Sequence, residues 1–372
     1  MVEVTPRAIP ASKGRFAALD GLRFVAAVAV MLFHYAASTD RWGQSFRDLS
    51  APLFGVAKFG YFGVDLFFVI SGFVILMSAW GRPLGAFVAS RTARLYPAYW
   101  FAVLFTGLLL LVTAPQDVTV KQILVNLTMG QSAFGVEHVD GVYWTLWIEL
   151  HFYLMIGAFL LIGITRNRIL VFCGLWPIVA SLAEASDAHL LSTFLQPTYA
   201  PLFAGGMLIY LLSLDHRSFI TWLLLGANVL WAIPTAGSDA ADSIARLTGR
   251  GMNDLVMIAV TVCCFLAVMC VTLTPVRRIG WKWLTVAGLL TYPLYLVHEE
   301  LGWTIISALA PHLPWALTLA IAILVSIALA VAVHIGIEQR AAKPLRRAVQ
   351  TAIESMSQQE KRPSRRRASD TV

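Results

Sequence analysis

The chain has 372 residues, 58% of them hydrophobic and only 13% charged, with a mean hydropathy of +0.72. A water-soluble domain of this length needs far more charged surface, so that class is excluded. The net charge of +7 is spread over loop ends and one tail, which argues for membrane topology and against a nucleic-acid surface.

A bilayer core about 30 Å thick takes roughly 20 apolar residues per helix. Ten segments fit: 19–38, 59–80, 96–114, 143–163, 168–185, 199–213, 218–235, 252–273, 284–310 and 314–337. None shows the short apolar–polar alternation of a barrel strand. The expected fold is therefore an all-α integral membrane bundle of about ten transmembrane helices. Most of the 28 Lys and Arg fall in the two terminal segments and the even-numbered loops, which puts both termini in the cytoplasm. Residues 1–18 then form a cytoplasmic N-terminus and 19–340 the membrane domain. Residues 341–372 read as a basic cytoplasmic tail, with Arg365, Arg366 and Arg367, solvated near anionic headgroups. The first apolar stretch carries Arg23 and His34, which suits a retained span better than a cleaved leader. Cys173, Cys263, Cys264 and Cys270 all fall inside predicted spans and read as small packing residues. There is no internal repeat, no zinc-ligand spacing and no phosphate-cradling glycine loop.

Ionisable residues inside a bilayer are costly and mark functional sites. The first span reads Leu19-Asp20-Gly21-Leu22-Arg23, then ten residues, then His34. Arg23 and His34 lie about three helical turns apart, on one face and roughly 16 Å along the axis. Asp20 falls on nearly the same face. The topology puts Asp20 and Arg23 at the cytoplasmic end and His34 toward the outer one. The second and fourth spans enter from outside with Asp65 and Glu149 in their outer thirds, so His34, Asp65 and Glu149 are expected at one depth. A His beside a carboxylate is the minimal equipment for deprotonating a hydroxyl. On the cytoplasmic side, Arg91 and Arg94 precede the third span with Tyr96-Pro97, spaced to grip a phosphate together. The ninth span carries Tyr295, then His298, Glu299 and Glu300. Glu338 ends the tenth span beside Arg340 and Lys343, where an ion pair is expected.

These residues together resemble acyltransferase family 3, the multi-pass O-acyltransferases of bacterial membranes. The resemblance runs from Leu19 to Pro344. It rests on the Leu19-to-His34 pattern, on Gly63 to Phe73, on Arg91-x-x-Arg94 with Tyr96-Pro97, on Trp144-Thr145-Leu146 with Glu149 and Phe152-Tyr153, and on Tyr295-Leu296-Val297-His298. Thr145 and Pro293 stand where the family usually has Ser, and Glu300 replaces a frequent proline. The resemblance implies ten core helices, His34 as catalytic base, and Arg91 and Arg94 near the phosphates of an acyl-CoA bound from the cytoplasm.

The expected reaction moves an acyl group, such as acetyl, from acyl-CoA to a hydroxyl of a polysaccharide, a lipid-linked sugar or another acceptor. Asp65 or Glu149 orients His34, Arg23 lies near the pantetheine path, and Asp20, Tyr295 and His298 line the cavity. No metal or bound cofactor is expected. The partners are acyl-CoA, the glycan or other hydroxyl acceptor and membrane lipids, with no nucleic acid, in a bacterial cytoplasmic (inner) membrane. A transporter or flippase is the main rival, although paired halves with matching broken helices are missing. A purely structural membrane subunit is the other.

Overall fold

Residues 16–38 and 40–360 are described by the computed structural model, and among them there are helices and turns but no strand. The long helices are α1 (Ala17–Ala36), α2 (Gly63–Ala79), α3 (Leu84–Thr113), α4 (Trp144–Ile162), α5 (Arg166–Ala185), α6 (Ala200–Leu214), α7 (Phe219–Ala232), α8 (Asp254–Leu273), α9 (Lys282–Leu309), α10 (Trp315–Val333) and α11 (Gln339–Glu360). Among the described residues, nine helical runs are long and apolar enough to cross a membrane. α9 is not one of the nine, although its 28 residues extend about 42 Å. Its deficit is polar: His298 and Glu299 both lie on it, and both are buried. α9 packs against α1, α10 and α3, so its polar groups face protein, and it completes the ten-helix bundle.

Small residues fix how closely the helices approach. A Cβ on Gly72 of α2 would fall 2.1 Å from the Phe203 carbonyl oxygen of α6, and one on Gly206 would fall 2.0 Å from that of Val69. Such backbone contact is the usual source of helix association in lipid, where burial of apolar surface drives little. The α1–α9 pair is keyed in the same way at two levels. Asp20 rests on Gly288, and the Tyr35 ring occupies the space over Gly302. The Tyr35 hydroxyl lies 2.6 Å from the His298 carbonyl oxygen, to which it donates, and 2.7 Å from Ser326 Oγ. These contacts set α1 in parallel register with α9.

Three predicted boundaries shift. The third span was expected from residue 96, but α3 begins at Leu84 and runs through Pro97. Arg91 and Arg94 are therefore part of the helix rather than of a loop; Ala, Leu and Arg are strong helix formers whatever their hydropathy. The seventh segment does not stop near 235. It passes through a π-turn at Ile233–Gly237, where Pro234 lacks an N–H, into a helix at Ser238–Thr248. The tail expected to be solvated is, as far as Glu360, the helix α11, which packs along α3 with Ile353 against Gly85. Arg365, Arg366 and Arg367, and the basic segment 1–15, lie outside the described residues. All four cysteines are free.

One connection shapes the site. After α3 the chain forms a capping box at Thr119 and Gln122, a short helix Val120–Asn126, and then lies back along α3. Tyr99 Oη donates to the Asn126 carbonyl (2.7 Å), Trp100 Nε1 to that of Leu127 (3.0 Å) and Tyr96 Oη to that of Thr128 (3.1 Å). Tyr99 lies fourteen residues before Thr113, so this segment re-enters the bundle by about 20 Å. Irregular backbone at such depth requires internal hydrogen bonds, which the three α3 side chains provide.

Candidate active site

α1 delivers His34 to the face of α9. His34 Nδ1 lies 2.9 Å from His298 Nε2, with the rings stacked at 5.1 Å and 25°. The other nitrogen of His298 decides which way the bond runs. Its Nδ1 lies 2.9 Å from the Tyr295 carbonyl oxygen and 3.2 Å from that of Leu294. Carbonyls only accept, so Nδ1 carries the hydrogen and Nε2 of the neutral ring is an acceptor. His34 must then donate through Nδ1–H, which leaves its Nε2 with an unprotonated lone pair. The His34 side chain is 14% exposed while His298 is fully buried at 0%. Only His34 is accessible to a substrate.

One carboxyl lies beside that lone pair, and a second adjoins the first. Glu299 Oε1 is 3.6 Å from His34 Nε2. Asp140, at the end of the re-entrant segment, caps the turn Gly141–Tyr143 through Oδ1 to the Val142 N–H at 3.2 Å. A Cβ on Gly141 would fall 2.6 Å from Glu299 Oε2, so only glycine lets this turn meet the Glu299 carboxyl. Asp140 Oδ2 and Glu299 Oε2 are both buried without a hydrogen-bond partner. Burial, with the charge of Glu300 adding to it, pushes the Asp140 carboxyl up to about 7. On the exposed side, Trp303 stands edge-on to His34 at 6.1 Å, and its Nε1 donates to the His34 carbonyl at 3.1 Å. The Arg41 guanidinium lies 5.9 Å over the same indole.

Asp65 and Glu149 do not reach His34. Glu149 accepts from Ser71 Oγ at 3.0 Å and from Tyr153 Oη at 2.9 Å. Thr145, one turn away on α4, bonds Tyr295 Oη at 2.9 Å, and Tyr295 precedes His298 by one turn. The two offsets separate Glu149 from His298 by about 10 Å along the bundle. The expected common depth fails because α4 does not start at the membrane edge. It starts inside the bundle, where the Tyr143 ring packs 5.2 Å from Tyr99. Asp65 is buried with Oδ2 unpartnered. Its neighbouring charge is Asp239, which accepts from Tyr199 Oη at 2.9 Å. The structure therefore brings neither Asp65 nor Glu149 to His34; His298 and Glu299 lie beside it instead.

Three cavities lie end to end through the bundle. The first, about 390 Å³, opens between α3, α9 and α11 and is lined by Arg91, Arg94, Tyr292, Lys343 and Arg346 among others. The second is a constriction of about 10 Å³ bounded by Arg23, Ser71, Arg91, Arg94, Glu149 and Tyr153. The third, about 60 Å³, shares Arg23, Ser71 and Glu149 and ends at Thr145 and Tyr295. The Tyr295 ring is 5.8 Å from that of His298. Arg23, Arg91, Arg94, Glu149 and Tyr295 thus share one path that ends a helical turn below the His pair. Asp20 lies at Gly288 near its basic end. Arg91 stacks between the Phe87 and Tyr153 rings at 5.7 and 5.9 Å. Sequence reasoning passed over Asp140, Tyr35 and Trp303, and it named Glu299 as an ionisable group of the ninth span without placing it beside His34. Glu299 adjoins a candidate His, whereas Asp140 carries no local signal because a re-entrant loop brings it in.

The family model described as an acyltransferase domain matches residues 16–335. The chain is 30% identical to the exopolysaccharide production protein ExoZ of Rhizobium meliloti (strain 1021) over 190 residues, which are 48% of this chain and 55% of that protein. It therefore spans about half the length of that relative. It is 27% identical over 269 residues to nodulation protein 10 of Rhizobium leguminosarum bv. viciae, covering 62% of this chain and 70% of that one. BcsY of Komagataeibacter xylinus, a provisionally assigned membrane-bound transacylase, is 28% identical over 320 residues, with 77% and 72% of the two chains covered. No solved structure matches.

Proposed function

The chain belongs to acyltransferase family 3, and from that premise we propose that it transfers an acyl group from acyl-CoA to a carbohydrate hydroxyl, with His34 as the base. The observation that carries this reading is the path just described, basic and wide at one end, constricted at Arg23 and Glu149, and ending at Tyr295, one helical turn from the His pair. Arg91 lies level with Tyr153, which is eight residues from Thr145. With the further turn from Tyr295 to His298, the run is about 16 Å. The pantetheine arm of CoA has as many chain bonds as four extended residues, about 14 Å. Phosphates held at Arg91 and Arg94 therefore suit a thioester delivered near His34. Acetyl is the simplest donor group that a cavity of about 60 Å³ admits.

The acceptor approaches from the opposite side, past Trp303. His34 Nε2 takes the hydroxyl proton as the oxygen attacks the thioester carbonyl. The tetrahedral intermediate collapses with loss of the CoA thiolate, and the proton held on His34 passes to sulfur. The products are the ester and free CoA. Tyr295 Oη and Thr145 Oγ1, at the head of the path, are the hydroxyls nearest to a developing oxyanion. A carbohydrate acceptor is supported by relatives named for exopolysaccharide production and nodulation. Acyl-CoA is cytosolic, so the Arg91 end faces the cytoplasm of a bacterial inner membrane, as the basic loops require.

The test uses inside-out vesicles given radiolabelled acetyl-CoA and fractionated into lipid, glycan and protein. Label in a glycan or lipid-linked sugar, lowered about 10²- to 10⁴-fold by His34→Ala while the variant still inserts, supports the reading. Label insensitive to that substitution, or acceptor crossing the membrane with the thioester intact, sinks it.

A further inference from the structure

Four cations from two helices surround the wide end of the path. Arg91 and Arg94 come from α3, and Lys343 and Arg346 from α11, a segment that hydropathy assigns to a solvated tail. On α11, Gln339, Ala342, Lys343 and Arg346 all line the cavity. Their spacing of three, four and seven residues is one helical face. The same face continues to Ile353, which packs on Gly85 of α3, so α11 is held with these residues turned inward over the opening. Arg340 and Arg347 fall a quarter-turn or more away and do not line it. Glu338 is the acidic residue of the cavity wall, and it is engaged with His334 Nδ1 at 2.6 Å. The cavity is therefore strongly cationic and, at about 390 Å³, of the size that holds a small ligand.

We propose that Lys343 and Arg346 of α11 complete a four-cation phosphate site with Arg91 and Arg94, and that this site holds the phosphorylated nucleotide end of the donor. The assignment rests on the acyl-CoA reading above. Two arginines on one α3 face match one phosphate group, whereas the nucleotide end of CoA carries a diphosphate and a separate ribose phosphate. The second pair of cations, across the opening on another helix, matches the second group. α11 thereby becomes part of the donor site, and the chain after α10 binds substrate.

An anionic lipid headgroup presents the same phosphate chemistry, so the test is made in nanodiscs of zwitterionic lipid alone. CoA and 3′-dephospho-CoA binding to the full chain is measured calorimetrically for the wild type, for Lys343→Ala/Arg346→Ala and for the charge-matched Arg340→Ala/Arg347→Ala. The expected result is CoA binding weakened about tenfold or more by the first pair and less than about threefold by the second. The first pair's loss shrinks with 3′-dephospho-CoA, which lacks the group it holds. Equal losses from both pairs indicate a general field effect and overturn the assignment, as does unchanged CoA binding in the first. Failure of the wild type to bind CoA overturns the donor reading together with this one. Binding by the wild type and by both variants overturns only the role of α11.

Discussion

Replacing His298 tests the hydrogen-bond logic of the site more directly than replacing His34. His298 donates Nδ1–H to the carbonyls of Leu294 and Tyr295 and accepts from His34 through Nε2. It is fully buried and touches no substrate, so it is a positioning residue. His298→Ala leaves the His34 Nδ1–H without its acceptor. An orphaned buried donor costs about 1–3 kcal/mol, and the ring escapes that cost by turning or by moving its proton to Nε2, the nitrogen that acts as base in the proposed reaction. At RT of about 0.59 kcal/mol the loss corresponds to roughly 5- to 150-fold in the reactive fraction. Because the path proposed for acyl-CoA ends below this pair, the loss should fall on kcat and leave the donor KM within about threefold. His298→Gln is the decisive control, since its side-chain carbonyl reaches the place of Nε2 and accepts the same hydrogen. We expect it to restore kcat to within about fivefold of the wild type. The assay is steady-state CoA release in nanodiscs, with thermal unfolding run beside it to remove folding losses. A Gln variant as slow as Ala, with equal stability, refutes the tautomer assignment, and so does an Ala variant of undiminished kcat.

The α1–α9 register gives a second prediction. A Cβ on Gly302 would lie 2.0 Å from the fully buried Tyr35 ring. Gly302→Ala should therefore destabilise by about 1–3 kcal/mol and lower activity by pulling His34 off His298. Gly226→Ala on α7, with nothing within 4 Å, should be neutral or stabilising by up to about 1 kcal/mol; equal thermal shifts in the two would disprove the keying. A third prediction concerns pH. Asp140 is raised from 3.8 to about 7, so the fold favours its protonated form. The relative stability this confers is full below the unfolded value and is lost as pH rises through about 7. The midpoint of thermal unfolding should fall between about pH 4 and pH 7, the window between the two values, and Asp140→Asn should flatten that slope. An unchanged slope would remove Asp140 from the buried carboxyl pair.

Hydropathy located the helices of the bundle because a lipid-facing side chain has no alternative to being apolar. It misplaced the ends wherever helices outlast the apolar stretch. Arg91 and Arg94 lie within α3, and Lys343 and Arg346 within α11, because backbone hydrogen bonding continues after the lipid stops. The site was legible one helix at a time. The spacing of Arg23 and His34 shows a common face, and His298 announces itself as an ionisable group in a span. Partner choice was not legible. Whether His34 meets Asp65, Glu149 or Glu299 depends on where each helix starts along the bundle normal, and α4 starts deep only because residues 114–140 fold back. That fold-back is fixed by Tyr96, Tyr99 and Trp100 reaching the backbone of Asn126, Leu127 and Thr128, contacts that no local pattern announces.

Among the described residues, α9 is the one long helix of the bundle core that does not meet the apolarity of a membrane span, and it is also the one that carries His298 and Glu299 beside His34. The two facts have one physical cause. A charge-bearing helix facing lipid would cost several kcal/mol per buried group, so α9 is stable only when its polar face is covered. α1 covers it through Tyr35 on Gly302 and Asp20 on Gly288, and the re-entrant turn covers it through Gly141 on Glu299. The same contacts that make the helix tolerable in a bilayer set the His34–His298 distance and bring Asp140 beside Glu299. Stability of α9 and assembly of the proposed catalytic groups are consequently one event. Substitutions at Gly141, Gly288 or Gly302 should therefore impair membrane integration and activity together, whereas substitutions at His34, which is partly exposed and fills no glycine notch on α9, should impair activity alone.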